Sequence, residues 1–371
     1  MSAGIFFIGI DVDDKNFHGC VYKKDFGIVT EFKCSPNIGH LVKKIAAISD
    51  SKDVIRLCYE ATYIGYTLQR ALAKKGYQCE VIAPSLIPGV KGKRQKTDKI
   101  DSRKLAEYYA NGQLTAVHIP TEPEERVRDL VRSRYFVMNQ VKEMKLHILS
   151  QCRRCGIDYK SSHSAGVNHW TEKHRAWLRS KIVGLEEYLR MNFEFLLGQL
   201  EQQESALERY DAKIEEISQT PAYKRKVQAL SCYRGLSTLS SMTIISELGD
   251  IRRFPHPRRL TSYAGLDIVE YSSGGKQRQY GISKQGNHHL RRVVIEACQQ
   301  AKSRPALSKR LKRVRKETEE KFIKIADRCM NRLYKRSQHL LNRSKCNNKV
   351  KVACARELLS FIWESMQAEA A

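Results

Sequence analysis

Two aspartates, Asp98 and Asp101, lie three residues apart within one of the most basic stretches of the chain. Residues 91–104 contain seven lysines and arginines and only these two acids. Thr97 can cap a helix that Gly112 ends, which places both aspartates on one face of its first turn. Acids in a first turn also favour the helix dipole, and that is the simpler interpretation of an isolated pair. In basic surroundings, the pair could instead hold a divalent cation against a polyanion.

Two further acids are placed to join this pair. Residues 5–11 predict a strand that ends at Asp11, and residues 54–59 predict another that is followed by Glu60. Ligand sites of open α/β sheets form at the carboxyl ends of strands, so these acids and the helix-start pair can converge. Four carboxylates would hold two Mg²⁺ ions about 3.5–4 Å apart, which suits in-line phosphodiester displacement. The predicted metal-binding tetrad is Asp11, Glu60, Asp98 and Asp101.

A second candidate for chemistry is the stretch 271–287, which is dense in Ser, Gly, Lys and Arg. The glycine pair after Ser273 predicts a flexible loop that leaves the serine hydroxyl exposed. Lys276 and Arg278 would neutralise a phosphate nearby. An ordinary phosphate-contacting turn without chemistry of its own has the same composition, and this interpretation stays open.

Charge indicates the partner. The 371 residues carry 66 Lys+Arg against 40 Asp+Glu, a net charge of +26. Residues 302–351 alone hold 18 Lys/Arg and 4 acids, a net +14. Such an excess points to nucleic acid. There is no apolar run long enough to span a bilayer, no secretory signal and no lipidation motif, so we expect no membrane partner.

Cysteine usage predicts the compartment. Eleven cysteines, an odd number, are scattered along the chain and are typical of reduced thiols in the cytoplasm. Cys152 and Cys155 form a Cys-x-x-Cys pair that is followed by His163, His169 and His174. The histidine spacing is irregular and no second cysteine pair is present, so a zinc site is disfavoured.

The elements that must position these residues follow from periodicity. Residues 5–32 predict a three-stranded meander, and strand–helix–strand units then lead to an edge strand at 114–119, which predicts a mixed α/β sheet. A long helix is predicted over residues 122–155. A heptad seam over 193–217 fits either an intermolecular coiled coil or a helix packed on its own chain. Near residues 230–250, two helices around a glycine turn predict a unit that offers backbone N–H groups to phosphate.

Taken together, these motifs resemble the transposases of insertion sequence family 110, most closely its 1111 subgroup. In the N-terminal part the resemblance rests on Asp11, on Glu60-Ala61-Thr62, and on the Lys-Thr-Asp-x-x-Asp-x-x-x-Leu-Ala pattern of residues 96–106. In the C-terminal part the matching blocks are residues 247–254, 263–266, 272–276 and 282–287. The resemblance covers nearly the whole chain, and the order of the blocks makes it specific.

The resemblance implies three domains. An α/β ribonuclease H-like domain, similar to Holliday-junction resolvases, would occupy residues 1–155. A helical coiled-coil segment would follow at 156–221, and a mostly α C-terminal transposase domain with a basic tail at 222–371. The chain departs from the family at two turns, where Pro-Gly-Ile-Gly is replaced by residues 234–237 and Gly-Leu-Thr-Pro by residues 265–268. The first change makes the turn less rigid, and neither touches a predicted catalytic residue.

The same resemblance implies a recombinase guided by a structured non-coding RNA, a bridge RNA that pairs with donor and target DNA. The tetrad would bind Mg²⁺, and Ser273 would attack DNA to leave a phosphoserine link, with Ser272 as the alternative nucleophile. We expect a dimer or tetramer in the bacterial cytoplasm, associated with the nucleoid. The residues expected to contact nucleic acid are Lys91, Lys93, Arg94, Lys96, Lys276, Arg278, Lys284, Arg291 and Arg292.

Two other functions stay open on the sequence. In a metal-dependent nuclease or junction resolvase, water would attack and Ser273 would only contact phosphate. In a non-catalytic nucleic-acid-binding protein derived from a transposase, no strand would be cut. The presence of all four acids and the serine favours an enzyme.

Overall fold

The computed structural model describes residues 4–88, 98–161, 168–273 and 276–371, without the side chains of 98–99, 271–273 and 276–279. The chain forms two compact units, Met1–Pro120 and Thr121–Ala371. The first is a mixed α/β sheet unit and the second is largely helical, as the sequence predicts.

The first unit is built on a five-stranded sheet in the order β3-β2-β1-β4-β5. Strands β1, β2 and β3 form an antiparallel meander, whereas β4 pairs parallel to β1, and β5 parallel to β4. Its elements are β1 (Phe6–Val12), β2 (Phe17–Lys23), β3 (Gly27–Cys34), α1 (Ile38–Ala46), β4 (Ile55–Glu60), α2 (Thr67–Lys74), β5 (Gln78–Ile82) and α3 (Asp98–Ala110). The edge strand predicted at 114–119 is reduced to an isolated bridge between Ile82 and Ala116.

Alternation along the strands separates the two faces of this sheet. Ile8 and Ile10 of β1, with Leu57 of β4, are fully buried in a core that includes Leu41 of α1 and Leu72 of α2. Residues one position away along the same strands belong to the opposite face. The helix α3 packs on that opposite face, where its Leu105 forms a separate small core.

The second unit packs around the long helices at both ends of its sequence. Its elements are α4 (Glu122–Arg154), α5 (Glu172–Val183), α6 (Glu187–Ser218), α7 (Lys224–Ser231), α8 (Thr238–Leu248), α9 (Pro257–Tyr263), β6 (Ile268–Ser273), β7 (Lys276–Ile282), α10 (His288–Ala297), α11 (Lys309–Arg315), α12 (Glu320–Asn342) and α13 (Asn347–Ala370). The start of α4 is fixed by a reciprocal capping box between Thr121 and Glu124.

The heptad helix packs on its own chain. Along α6, Phe193, Leu200 and Ile214 are buried, and α6 lies against α4. Arg134 of α4 pairs with Asp211 at 2.6 Å, and Lys145 with Glu204 at 2.6 Å. Because the order of these partners is reversed, the two helices run antiparallel. The seam is thus covered within one chain, which is one of the two arrangements that the heptad pattern allows.

Candidate active site

The helix α3 approaches β1 closely because Gly9 has no side chain. A Cβ atom at Gly9 would lie 2.4 Å from the backbone nitrogen of Ala106 and 2.5 Å from the carbonyl oxygen of Ser102. Cys58 of β4 lies opposite Gly9 in the parallel pairing of β4 with β1. The Sγ atom of Cys58 lies 3.8 Å from the carbonyl oxygen of Leu105 on α3. Gly9 and Cys58 therefore mark the face of the sheet that α3 covers.

An aromatic contact fixes the direction of α3 across the sheet. The rings of Phe7 and Tyr109 meet edge to face, with their centroids 5.6 Å apart. Phe7 precedes Gly9 on β1, whereas Tyr109 follows Leu105 on α3, so the helix runs antiparallel to the strand. Moving along β1 from Gly9 to Asp11 consequently leads toward the first turn of α3.

Asp11 and Glu60 lie at this same end of the sheet. The parallel pairing of β1 and β4 runs up to Ile10 and Tyr59, and the next residue of each strand is Asp11 or Glu60. They lie two positions beyond Gly9 and Cys58, and alternate residues of a strand share a face, so both are on the α3 face.

The first turn of α3 supplies the other two predicted acids. Asp98 is the first residue of the helix, and its side chain is outside the described part. The Asp101 side chain is 23% exposed, and its Oδ1 atom lies 3.7 Å from Nζ of Lys104. The backbone thus brings Asp11, Glu60 and the start of α3 to one edge and one face of the sheet.

A set of carboxylate oxygens is the donor chemistry that a hard divalent cation requires, so these residues fit such an ion. Among the side chains that the structure describes, which include those of Asp11, Glu60 and Asp101, no three His, Cys, Asp or Glu residues come close enough together to hold a metal. The carboxylate of Asp98 lies outside the described side chains. The described part therefore gives the shared edge but not a complete donor set.

A salt bridge that the sequence did not indicate holds α3 across the meander. The guanidinium of Arg103 donates from Nε and Nη2 to the two carboxylate oxygens of Glu31 on β3, at 2.5 and 2.9 Å. Both side chains are partly exposed, so the pair mainly orients the helix. Arg103 follows Asp101 by two residues, and the salt bridge therefore constrains the acidic turn.

Ser273 lies in a β-strand rather than in the loop that its composition predicts. Strands β6 and β7 pair antiparallel, and Ser273 opposite Lys276 is the last pair before Gly274 and Gly275, which lie outside the described residues. Ser272 pairs with Gln277. Ser and Gly content suggested flexibility, but regular pairing of the flanking backbone overrides that propensity.

The base of this hairpin is held by backbone contacts. Ser283 donates its N–H to the carbonyl of Asp267 at 2.8 Å, and Lys284 to that of Gly265 at 3.0 Å. Gly265 has φ +65°, and a Cβ there would lie 2.5 Å from the carbonyl oxygen of Gln285. The entry to β6 and the exit from β7 are therefore fixed to each other.

A buried carboxylate locks the same region. The Glu247 side chain is fully buried and accepts two hydrogen bonds from Arg132, both 2.7 Å long. Asn287 donates to Glu247 at 2.6 Å, and Tyr263 donates its hydroxyl to the Glu247 carbonyl at 3.0 Å. Burial alone would raise the pKa of Glu247, but the hydrogen bonds and charge of Arg132, together with Asn287, hold that pKa below its ordinary value.

This network joins two of the sequence blocks on which the family resemblance rests. Glu247 comes from the block 247–254, and Asn287 is the last residue of the block 282–287, which also caps α10 by accepting from the N–H of Leu290 at 2.9 Å. The sequence identified the blocks but not their contact, because a buried pair 40 residues apart leaves no periodic signal. Arg132 lies in α4 and belongs to neither block.

The predicted nucleic-acid contacts include residues outside the described part, residues whose side chains are not described, and three described residues. Lys91, Lys93, Arg94 and Lys96 lie outside the described residues, and the side chains of Lys276 and Arg278 are not described. Lys284 adopts a left-handed backbone with φ +56°. Arg291 donates to the carbonyl of Ala264 at 2.9 Å, and burial lowers its pKa. The guanidinium of Arg292 lies 3.8 Å from the ring centre of Tyr135.

Part of the charge of the basic tail, residues 302–351, is neutralised within the chain. On α12, Arg332 pairs with Glu357 of α13 at 2.7 Å, and Arg336 reaches the same carboxylate at 3.3 Å. On α11, Lys312 and Arg313 are exposed. The net charge of residues 302–351 therefore overstates the charge that is available to a partner outside this segment.

The Cys-x-x-Cys pair lies at the end of α4. Cys152 is buried against α5 and α6, and burial raises the pKa of its thiol to about 11. All eleven cysteines are free thiols. His163 lies outside the described residues.

None of the described helices is long and apolar enough to cross a membrane.

Comparison with known proteins places both parts of the chain in one class, the transposases. Residues 8–155 match the DEDD transposase model of the IS110 group, and residues 227–313 match the model described as the transposase IS116/IS110/IS902 family.

Individual relatives support the same class. The protein y4qE of Sinorhizobium fredii, also named as a transposase, is 31% identical over 86% of this chain and 77% of its own length. The transposase for insertion sequence element IS1533 of Leptospira borgpetersenii is 26% identical over 91% of this chain and 97% of its own. That for IS1111A of Coxiella burnetii is 24% identical over 62% and 61%.

The chain belongs to the IS110 family of insertion sequence transposases. It is therefore an enzyme of DNA cleavage and strand transfer. Its DEDD domain indicates the use of divalent metal ions.

Proposed function

We propose that this transposase cuts and rejoins DNA with Asp11, Glu60, Asp98 and Asp101 as its metal-binding acids and Ser273 as its nucleophile. The observation that carries the proposal is the meeting of β1, β4 and the start of α3 at one edge of the sheet. Gly9, Cys58 and the Phe7–Tyr109 contact fix that arrangement independently of the acids themselves.

A ribonuclease H-like fold is the corresponding proposal for the sheet unit. The antiparallel meander β1–β3, continued by parallel β4 and β5 in the order β3-β2-β1-β4-β5, supports it. The matched regions 8–155 and 227–313 support a functional division into residues 1–155, 156–221 and 222–371.

Two Mg²⁺ ions are the proposed cofactor. Bound there, they would neutralise the four carboxylates and stabilise the charge that develops on phosphate oxygens. The chain's own task is to hold those carboxylates at fixed positions, which β1, β4 and the closely packed α3 can do.

The proposed covalent step is the attack of Ser273 on a DNA phosphate. The Ser273 hydroxyl loses its proton and its oxygen attacks phosphorus, while the bond from phosphorus to the leaving sugar oxygen breaks and that oxygen takes up a proton. One phosphodiester is exchanged for another, so the reverse step rejoins DNA without ATP. The metal ligands and the nucleophile belong to different units, and we propose a dimer or tetramer as the assembly that acts on DNA.

A guide RNA is the proposed source of sequence specificity. The net charge of +26 suits a chain that binds RNA as well as donor and target DNA, and nucleoid association would follow from the same charge. The predicted contacts Lys91, Lys93, Arg94, Lys96, Lys276, Arg278, Lys284, Arg291 and Arg292 are proposed to bind the nucleic-acid backbone.

The decisive experiment is a search for the covalent intermediate. Full-length protein, Mg²⁺, the element's RNA and cognate donor and target DNA are incubated, and adducts are separated under denaturing conditions. We expect a protein–DNA adduct that is absent with Ser273→Ala and retained with Ser272→Ala, its matched neighbour. Mapping the modified peptide by mass spectrometry should place the link on Ser273.

Each other outcome selects a different function. Cleavage without an adduct would identify a nuclease or resolvase in which water attacks. Loss of the adduct in Ser272→Ala alone would transfer the role to Ser272. Omitting the RNA separates guidance from chemistry, since sequence-specific cleavage without RNA would refute the guide.

A further inference from the structure

A cavity of about 130 Å³ lies between the end of α4 and α5, remote in sequence from the acids and the serine. Four aromatic side chains line it: Tyr159, His169, His174 and Trp177. The ring of Tyr159 lies 4.7 Å from that of His174 and 4.9 Å from that of Trp177, between centroids. We call this feature the aromatic cavity. All four rings lie between the two matched family regions.

The two histidines of the aromatic cavity are uncharged near neutral pH. Burial, together with the charges of His169 and Arg175, lowers the pKa of His174 to about 4. Burial likewise lowers the pKa of His169. Tyr159 and His174 are buried and pack on each other, whereas His169 and Trp177 are partly exposed and offer ring faces on which another aromatic ring can stack.

The charges around the aromatic cavity are mainly positive. Arg153 and Lys160 line it, and Asp158 is its acidic lining residue. Asp158 accepts a hydrogen bond from the backbone N–H of Lys160 at 3.0 Å. These cations would repel a cationic guest such as an alkylated amine. They favour a flat ring that carries a phosphate.

A strained residue borders the same cluster. Trp170 has φ +67°, a left-handed backbone conformation that is unfavourable for a bulky residue. Its N–H donates to Nδ1 of His174 at 3.1 Å. The cations of Lys145 and Arg175 lie 5.7 and 5.5 Å from its ring centre. Strain that the surroundings maintain is typical of ligand clamps.

We infer that the aromatic cavity receives the base of one unpaired pyrimidine nucleotide from the DNA or RNA that the enzyme handles. The volume of about 130 Å³ is close to that of a cavity that accepts one benzene-sized ring, so it has room for part of a single-ring base but not for the two fused rings of a purine. Arg153 and Lys160 would contact the attached phosphate. The inference rests on the family's action on nucleic acid and not on the serine mechanism.

The experiment compares strands of equal charge with and without bases. The full-length protein, in EDTA to prevent cleavage, is titrated with a fluorescent twelve-residue thymidine strand and with a fully abasic strand of the same length. Stacking of one base contributes about 1–3 kcal/mol, so we expect the thymidine strand to bind at least about fivefold more tightly. A uridine RNA strand in a third arm distinguishes an RNA from a DNA guest.

Matched variants locate the effect. Trp177→Leu should reduce the difference between thymidine and abasic strands to less than twofold, whereas Tyr188→Leu, at an aromatic that is 74% exposed on α6, should retain it. Equal affinity of the wild-type protein for both strands would overturn the inference. A difference that survives in Trp177→Leu would overturn it too.

A second measurement needs no variant, and it decides the matter should Trp177→Leu fail to fold. A strand with 5-iodouracil is photo-crosslinked to the wild-type protein, and the linked peptides are identified by mass spectrometry. Crosslinks to Tyr159, His169 or Trp177 support the inference. Crosslinks that all map elsewhere contradict it.

Discussion

Asp11 and Glu60 are the residues that follow Ile10 and Tyr59, the last paired residues of the parallel strands β1 and β4. Neighbouring strands are about 4.8 Å apart, so the two acids occupy adjacent positions at one sheet edge. Two adjacent carboxylates repel each other unless a cation or proton lies between them. Two neighbouring carboxylates at the carboxyl ends of parallel strands suit a site that binds metal.

Neutralising either acid tests this placement directly. Asp11→Asn and Glu60→Gln keep side-chain size but remove the charge, so we expect DNA cleavage and adduct formation to fall by at least about 100-fold. Thermal denaturation should show that both variants are folded, so that the loss reflects the site and not the fold. Asp13→Asn is the matched control at an exposed aspartate just beyond β1, and its activity should be close to that of the wild type. Full activity in Asp11→Asn would refute the site.

The contact between Gly9 and α3 makes a second prediction. In Gly9→Ala the new methyl group would collide with the backbone of Ser102 and Ala106, which cannot move without shifting the helix. We expect the free energy of unfolding of the sheet unit to fall by about 1–3 kcal/mol, measured by urea denaturation. Cleavage should fall as well, because α3 carries Asp98 and Asp101. Gly4→Ala has open space around its Cβ and should be nearly silent.

These contacts also define how far the sequence alone could lead. The strand ends near Asp11 and Glu60 and the helices α3 and α4 follow from local patterns, and the sequence predicts their bounds to within a few residues. The predicted cap of α3, Thr97, lies outside the described residues. Gly9, Arg103 and Arg132 were missed because their roles depend on partners distant in sequence. The Ser and Gly content predicts a loop at Ser273, but this residue lies at the end of strand β6. Strand pairing there outweighs the local preference of Ser and Gly. The heptad pattern specified an apolar seam but not its partner, because an own-chain helix and a second chain satisfy the same periodicity.

The buried pair of Glu247 and Arg132 should respond asymmetrically to substitution. The Glu247 side chain is fully buried, whereas that of Arg132 is 42% exposed. Arg132→Ala leaves a buried carboxylate without its cation and should lower the free energy of unfolding by about 3–5 kcal/mol. Glu247→Gln leaves an arginine that water can reach and should have a smaller effect. Urea denaturation at neutral pH measures both.

The exposed pair of Arg252 and Asp250 provides the control for that comparison. Its side chains are 74% and 40% exposed, so Arg252→Ala should change the free energy of unfolding by less than about 1 kcal/mol. A larger effect for Glu247→Gln than for Arg132→Ala would contradict the assignment of the buried charge.

The basic tail should contribute to DNA binding unevenly. Lys312 and Arg313 are exposed on α11, so replacing either with Gln should reduce the slope of log affinity against log salt by about 0.9. Arg332→Gln removes the same charge from a residue that Glu357 already neutralises, and the slope should hardly change. Fluorescence anisotropy with a DNA duplex at four or more salt concentrations measures these slopes. Equal slopes for all three variants would show that the ion pairs do not screen the tail.

His174 makes the chain sensitive to acid. Its pKa is about 4 in the folded protein because of burial, whereas the ordinary value of 6.5 applies in the unfolded chain. Between these values the unfolded chain binds a proton that the folded chain does not, so the free energy of unfolding falls as the pH is lowered from 7 to 4. The loss from this residue is at most about 3 kcal/mol. Urea denaturation across this range, for wild type and His174→Asn, isolates the contribution, because other groups titrate in both. The variant should be less stable at pH 7 but should lose less on acidification, and an identical pH dependence would mean that His174 is not the group responsible.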